Sequence, residues 1–372
     1  MEKSLRRRRP PRWLVRSTLL LVGVVSALIA AECAYRVWLS IANARTRAAF
    51  ENIDRPPPLE PGTEATLAQV ARRAKHPRII YELIPNLRGV VFQGAPLETN
   101  SDGFRGPECP GEKQRRSLRI VGLGDSVQFG WAVPEPECMF RRLEKRLREY
   151  FPDFQVDVIN TAVPGYNTAM EVATLEQKCL RLQPDAVVID YVGNDTDLPS
   201  LIWRDRDYWT LTHSFLWERI RLAWSGEQDP WRTRAFDDAP QTVAGDRFEN
   251  DPDRVPAAYR DMVGREGWRS AMYHLVELSK QNGFAVFVTA HWDVNDMVEN
   301  TCRELGLPLI RSYHRLVGYL QERGIKEYWG SELTRSKDDP HPSSKNHEIQ
   351  AEVVFDFLES NGLLALWAKA KR

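Results

Sequence analysis

The chain has 372 residues, 42% of them hydrophobic and 27% charged. That is enough apolar material to bury one large core or two smaller ones, which excludes disorder as the default state. Its 51 basic residues balance its 51 acidic ones, so no global positive field marks nucleic acid as a partner.

Charge is placed unevenly. Residues 1–16 carry Lys3, Arg6, Arg7, Arg8, Arg9, Arg12 and Arg16 against Glu2 alone, and Ser17 to Ala31 carry no charge at all. The apolar run extends to about Tyr35 if Glu32 reaches the interface, so residues 17–36 read as a single transmembrane signal anchor. The positive-inside rule then leaves residues 1–16 as a cytoplasmic tail and places the rest beyond the inner membrane, in the periplasm of a Gram-negative cell. A cleaved signal peptide is the competing reading. Its best cleavage site, Ala42-Asn43-Ala44, lies past Glu32 and Arg36 and beyond the apolar run. A lipoprotein reading through Cys33 fails because Glu32 precedes it.

Residues 37–76 read as a juxtamembrane linker, since Ile53 to Ala65 is rich in proline and charge and has no apolar period. The folded domain is expected from residue 77 to 372, opening with short strands and turns punctuated by Pro85, Gly89, Gly94 and Asp102-Gly103. From Leu118 apolar runs recur at 118–124, 156–160, 186–193, 284–290 and 307–313, and segments of helical spacing separate most of them. Runs apolar on both faces and separated by helices imply a doubly wound, three-layer α/β/α domain, flavodoxin-like, with about five parallel strands. Residues 198–256 break the rhythm. This insertion holds Trp203, Trp209, Trp217, Trp224 and Trp231 among many Arg and Asp, and reads either as a lid or substrate loop or as a packed helical excursion. The five cysteines, Cys33, Cys109, Cys138, Cys179 and Cys302, show no metal-like spacing, and neither disulfides nor buried thiols are favoured.

Ligands of a doubly wound sheet bind beyond the carboxyl ends of its strands, and three such ends are unusual. The first carries Gly124-Asp125-Ser126, the second Asn160 and then Val163-Pro164-Gly165-Tyr166-Asn167, the third Gly193-Asn194-Asp195. A dinucleotide loop would need a third glycine where Val127 stands, a Walker A loop would need Gly-Lys-Ser/Thr, and Asp125 would repel a phosphate. Gln128 likewise excludes the G-x-S-x-G elbow. What remains is that Ser126 merely caps the next helix, or that it caps the helix and still presents its hydroxyl. Among seven histidines only His341 has an aspartate three residues earlier, Asp338. That spacing lets the carboxylate orient Nδ1 and leaves Nε2 to take a proton from a serine. Asp125 and His347 read as structural, His291 as a loop histidine with a possible substrate contact, and Asp195 and Asp197 as steering or solvated. No metal site is expected.

These four blocks resemble those of the SGNH hydrolases, the GDSL-like esterases: Ser126 in LGDSVQFG, Gly165 in NTAVPGYNT, Asn194 in YVGND, and Asp338 with His341 in DDPHP. The likeness spans about residues 100–362, and TNSDGFRG is similar to a lead-in of exported bacterial members. Two departures stand out: Val192 holds the position usually given to glycine in the third block, and Ala162 does so in the second. The resemblance implies a serine esterase without cofactor, in which Ser126 attacks, His341 takes the proton and Asp338 orients His341. Ser126, Gly165 and Asn194 would form the oxyanion hole. It also implies O-acyl, chiefly O-acetyl, groups of exported or envelope carbohydrate as substrate, removed or transferred. A lipase, lysophospholipase or thioesterase at the bilayer is the second reading, and a non-catalytic carbohydrate-binding component of an export assembly the third.

Overall fold

The structure, a computed structural model, describes residues 11–51, 59, 61–201, 208–225, 255, 257–292 and 294–370. Residues 1–10 of the expected basic tail, 52–58 and 60 of the expected linker, and 202–207, 226–254 and 256 of the insertion therefore lie outside it. Two compact units emerge, one holding the N-terminal helix with residues of the insertion and the other holding the rest.

In the first unit a single helix α1, Arg12–Glu51, runs unbroken through the whole expected anchor and beyond it. Its stretch from Arg12 to Ala42 is long and apolar enough to cross a membrane.

The second unit begins earlier than expected. Residues 64–76 are not linker: β1 (Glu64–Ala65), α2 (Leu67–Val70) and β2 (Ala71–Arg73) already bury Ala65, Leu67, Val70 and Ala71. Elements of two to four residues are too short to leave a period in the sequence, although Gln69 Oε1 accepting from the Thr66 N–H (2.9 Å) is a local helix-start signal. β3 (Tyr81–Leu83) pairs with β2, and β4 (Val90–Phe92) pairs with β1 and with β5 (Ala95–Leu97).

The main sheet comprises β6 (Ser117–Leu123), β7 (Gln155–Asn160), β8 (Ala186–Asp190), β9 (Ala285–Ala290) and β10 (Leu309–Arg311), in the order β10-β9-β8-β6-β7 and parallel throughout. Its helices are α3 (Ser126–Phe129), α4 (Met139–Tyr150), α5 (Thr168–Thr174), α7 (Gly264–Asn282), α8 (Asp296–Leu305), α9 (Tyr313–Gln321), α10 (Ser344–Ser360) and α11 (Leu363–Ala370). Between β7 and β8 the helical segment starts as α5, passes through a π turn at Leu175–Cys179 and ends in a 3-10 turn at Leu180–Leu182.

Alternation along the strands covers both faces of the sheet. Leu118 and Ile120 of β6 and Val188 of β8 join α4, α10 and α11 in one core, while Val121, Leu123, Val187 and Ile189 join α5, α7 and α8 in the other. All five cysteines are free, with Cys138, Cys179 and Cys302 buried. Close helix packing against the sheet depends on Gly122, where an added Cβ would stand 2.2 Å from the Phe140 ring of α4. Gly122→Ala is expected to destabilise the domain by about 1–3 kcal/mol through overpacking, read as a lower urea midpoint at unchanged slope in the detergent-solubilised chain.

Candidate active site

β6 is the central donor of the site. It ends at Leu123, and Asp125 caps the short helix α3 by accepting from the Val127 N–H (2.9 Å). Ser126 is thus the first residue of α3, 4% exposed. Gly124 is required one step earlier because an added Cβ would meet Gln128 Cβ at 2.7 Å. Behind α3, the buried Arg105 donates to the carbonyls of Phe129 (2.7 Å), Gly130 (2.8 Å) and Val133 (2.6 Å). The TNSDGFRG block therefore clamps the far end of the helix that presents the serine.

The loop before α10 brings an imidazole to Ser126. Ser126 Oγ lies 3.0 Å from His341 Nε2, and His341 Nδ1 lies 2.6 Å from a carboxylate oxygen of Asp339. The partner is Asp339, not Asp338. Ser336 Oγ accepts from the backbone N–H groups of both aspartates, 3.2 and 3.0 Å away, and this turn leaves Asp338 exposed. Pro340 then disfavours the helical region for Asp339, and in an extended stretch residues two apart face the same side, which sets Asp339 beside His341. That signal stood in the sequence as Asp-Pro-His. Burial alone would raise the Asp339 carboxyl, but hydrogen bonds from the His341 ring, the His341 N–H (3.0 Å) and Arg335 (2.8 Å) hold it well below the ordinary carboxylate range. An ionised Asp339 accepts the Nδ1 proton, so Nε2 carries a lone pair toward Ser126. Trp131, which gave no sequence signal, stacks on the imidazole with ring centroids 4.7 Å apart and 17° between planes.

The other two blocks reach the same sheet edge. Gly165 follows β7 with φ +75°, and an added Cβ would stand 2.0 Å from Ser200 Oγ. The N–H groups of Ser126 and Gly165 find no acceptor among the described residues. Asn194 Nδ2 donates to Asp125 Oδ2 (2.8 Å). One amide hydrogen is used there and the second remains available.

The remaining candidates are structural. Asp195 is neither steering nor solvated: it is buried and accepts from the Val192 N–H (3.0 Å). Burial pushes the carboxyls of Asp195 and Glu171 well up, and pushes that of Asp190 up to about 7. Asp197 lies part-buried at the end of this turn, where its backbone carbonyl accepts from Asn167 Nδ2 (3.1 Å). His291 is buried 3.9 Å from Asp190, and His347 accepts from the Met139 N–H (3.2 Å). Burial first, then neighbouring positive groups, lowers both imidazoles to about 3.

No family model and no curated protein matches the sequence. Solved structures do match. A two-domain esterase active on acetylated mannans is 17% identical, with 66% of this chain aligned to 49% of that one at a TM-score of 0.41, so the alignment spans about half of that protein. A lipase/acylhydrolase from Enterococcus faecalis is 14% identical over 66% of this chain and 96% of its own, at 0.38. An acetyl xylan esterase is 11% identical over 65% and 100%, at 0.40.

Replacing Asp339 with Asn is expected to lower kcat for an ester about 10³–10⁴-fold, because the imidazole loses its orienting partner, whereas Asp338→Asn leaves kcat unchanged. Equal losses in the two variants would remove Asp339 from the relay. His347 also sets a pH dependence. Its folded pKa lies below the unfolded value, so folding excludes a proton only below about 6.5 and stability falls as pH drops from there toward 3. His347→Gln is expected to lose less stability than the parent over that window, by up to about 1.4 kcal/mol per pH unit, with a constant difference above pH 7. Urea titrations at pH 5 and 7.5 measure it.

Proposed function

We propose that this chain is a membrane-anchored serine ester hydrolase of the SGNH type, acting on O-acyl groups of carbohydrate outside the cytoplasm. The observation that carries the reading is the relay from Ser126 Oγ through His341 to Asp339, 3.0 and 2.6 Å, at the carboxyl edge of the parallel sheet.

Ser126 Oγ attacks the acyl carbonyl carbon as its proton passes to His341 Nε2. The imidazolium is stabilised by the Asp339 carboxylate. Negative charge moves onto the carbonyl oxygen, where the N–H groups of Ser126 and Gly165 and the free amide hydrogen of Asn194 receive it. One such donor is worth about 3 kcal/mol in the transition state. Collapse expels the sugar alkoxide, which takes the proton from His341. Water, or a second hydroxyl in a transfer reaction, then gives its proton to His341 and attacks the acyl-serine carbonyl; collapse breaks the ester bond to Ser126 Oγ, which takes that proton back from His341, releasing the acid or the new ester.

An aromatic wall supports a sugar acceptor. His291 and Trp292 follow β9, at the same edge as Ser126, and Trp292 stacks on the exposed Trp329 with centroids 5.1 Å apart and 25° between planes. Flat aromatic faces of this kind hold the apolar face of a ring by area and geometry. The N-terminal helix supports the anchor, and its basic flank the outward placement of the domain.

The detergent-solubilised full chain is expected to hydrolyse a short-chain acyl ester at least about 10³-fold faster than its Ser126→Ala variant. Quenched incubation with O-acetylated glycan is expected to leave a mass increase of one acetyl group on the Ser126 peptide. A preference for long acyl chains would move the substrate to lipid, and glycan binding without any turnover by the parent chain would remove the enzyme reading.

A further inference from the structure

Residues 208–225 of the insertion belong to the same compact unit as α1. It contains α6, Phe215–Ser225. Two charged side chains of α1, four residues apart and therefore on one face, hold it. Glu32 accepts from Ser214 Oγ (2.9 Å) and from the first backbone N–H groups of α6, at Phe215 (3.0 Å) and Leu216 (2.9 Å). A carboxylate from one helix thus caps the positive end of another. Arg36 donates to the carbonyls of Tyr208 (2.9 Å), Thr210 (2.6 Å) and His213 (2.5 Å) and to Glu32 (2.7 Å), with its guanidinium 5.1 Å from the Phe215 ring centre.

The apolar distribution is inverted for a water-facing element. Phe215 is buried toward Arg36, yet Trp217 (61% exposed), Ile220 and Trp224 (86% exposed) stand outward, and Leu211 before them is 98% exposed. Spacings of three and four place Trp217, Ile220 and Trp224 on one stripe of α6. On α1 itself Tyr35 stacks with Trp38 (5.6 Å), and Trp38 is exposed. From Ser17, the rise along a helix puts Glu32 at about 22 Å and Trp38 at about 31 Å, which brackets the far boundary of a hydrocarbon core about 30 Å thick. Aromatic rings gather at that boundary in membrane proteins.

We infer that residues 208–225 lie in the outer headgroup layer of the bilayer, with Trp217, Ile220 and Trp224 turned toward the acyl chains, and that Glu32 and Arg36 latch them to the spanning helix. The inference rests on the anchor reading above. It accounts for two charges at the end of an apolar span: their partners are backbone N–H and C=O groups that a dehydrated interface would otherwise leave unsatisfied. It also requires α1 to be retained, since cleavage after Ala44 would remove both latch residues.

The full chain is reconstituted in vesicles of phosphatidylethanolamine and phosphatidylglycerol, and an apolar photoactivated carbene probe dissolved in the bilayer is mapped by peptide mass spectrometry. Labelling is expected on residues 17–31 and also on 209–224. Absence of label on 17–31 would overturn the anchor itself, whereas label on 17–31 with none on 209–224 would overturn only the interfacial placement. In a Glu32→Gln/Arg36→Met chain the label on 209–224 is expected to fall at least about fivefold while that on 17–31 is unchanged. Undiminished label on 209–224 would overturn the latch.

Discussion

The Asp125 carboxylate is the constraint on which the site depends. It is fully buried at the end of β6 and receives the Val127 N–H (2.9 Å), the Asn194 side-chain amide (2.8 Å) and a longer contact from Ser126 Oγ (3.3 Å). One oxygen fixes the start of α3 and so the position of Ser126. The other ties that start to the turn after β8, so two strand ends that the sheet merely makes neighbours are held in one geometry. A buried carboxylate is tolerated only when its lone pairs are filled in this way.

The sheet and its two apolar cores fix the strand ends. Arg105 fixes the far end of α3 through carbonyls of its closing turn. His341 comes from the loop before α10, and it is constrained three times: by Asp339 at Nδ1, by Trp131 across its ring, and by its own carbonyl, which accepts from the Arg335 N–H (2.9 Å). The base of such a relay must keep its tautomer and its distance through several proton transfers. Stacking restricts ring tilt, the carboxylate restricts rotation, and each contact does what the other does not.

Beneath the site lies a layer of buried ionisable groups, Glu171, Asp190, Asp195 and His291, with few polar partners. Burial raises the carboxyls and lowers the imidazole, so each moves toward its neutral form.

The parallel sheet was legible because its strands are apolar on both faces and separated by helical periods. Ser126, Gly165 and Asn194 stood out because each lies just past a strand end where a doubly wound fold exposes ligand sites, and His341 stood out because an aspartate precedes it at short spacing. Counting intervals along the chain pointed to Asp338, and the structure puts Asp339 beside the ring instead, because the Ser336 turn and Pro340 decide which carboxylate arrives there. Trp131 and the packing of residues 64–74 likewise depend on contacts between segments far apart in sequence. The composition of residues 12–42 determined a helix able to cross a membrane; that Glu32 and Arg36 meet residues 208–216 was decided by tertiary structure alone. Period and composition report what one segment prefers, while the partner of a charged side chain is set by where the rest of the chain folds.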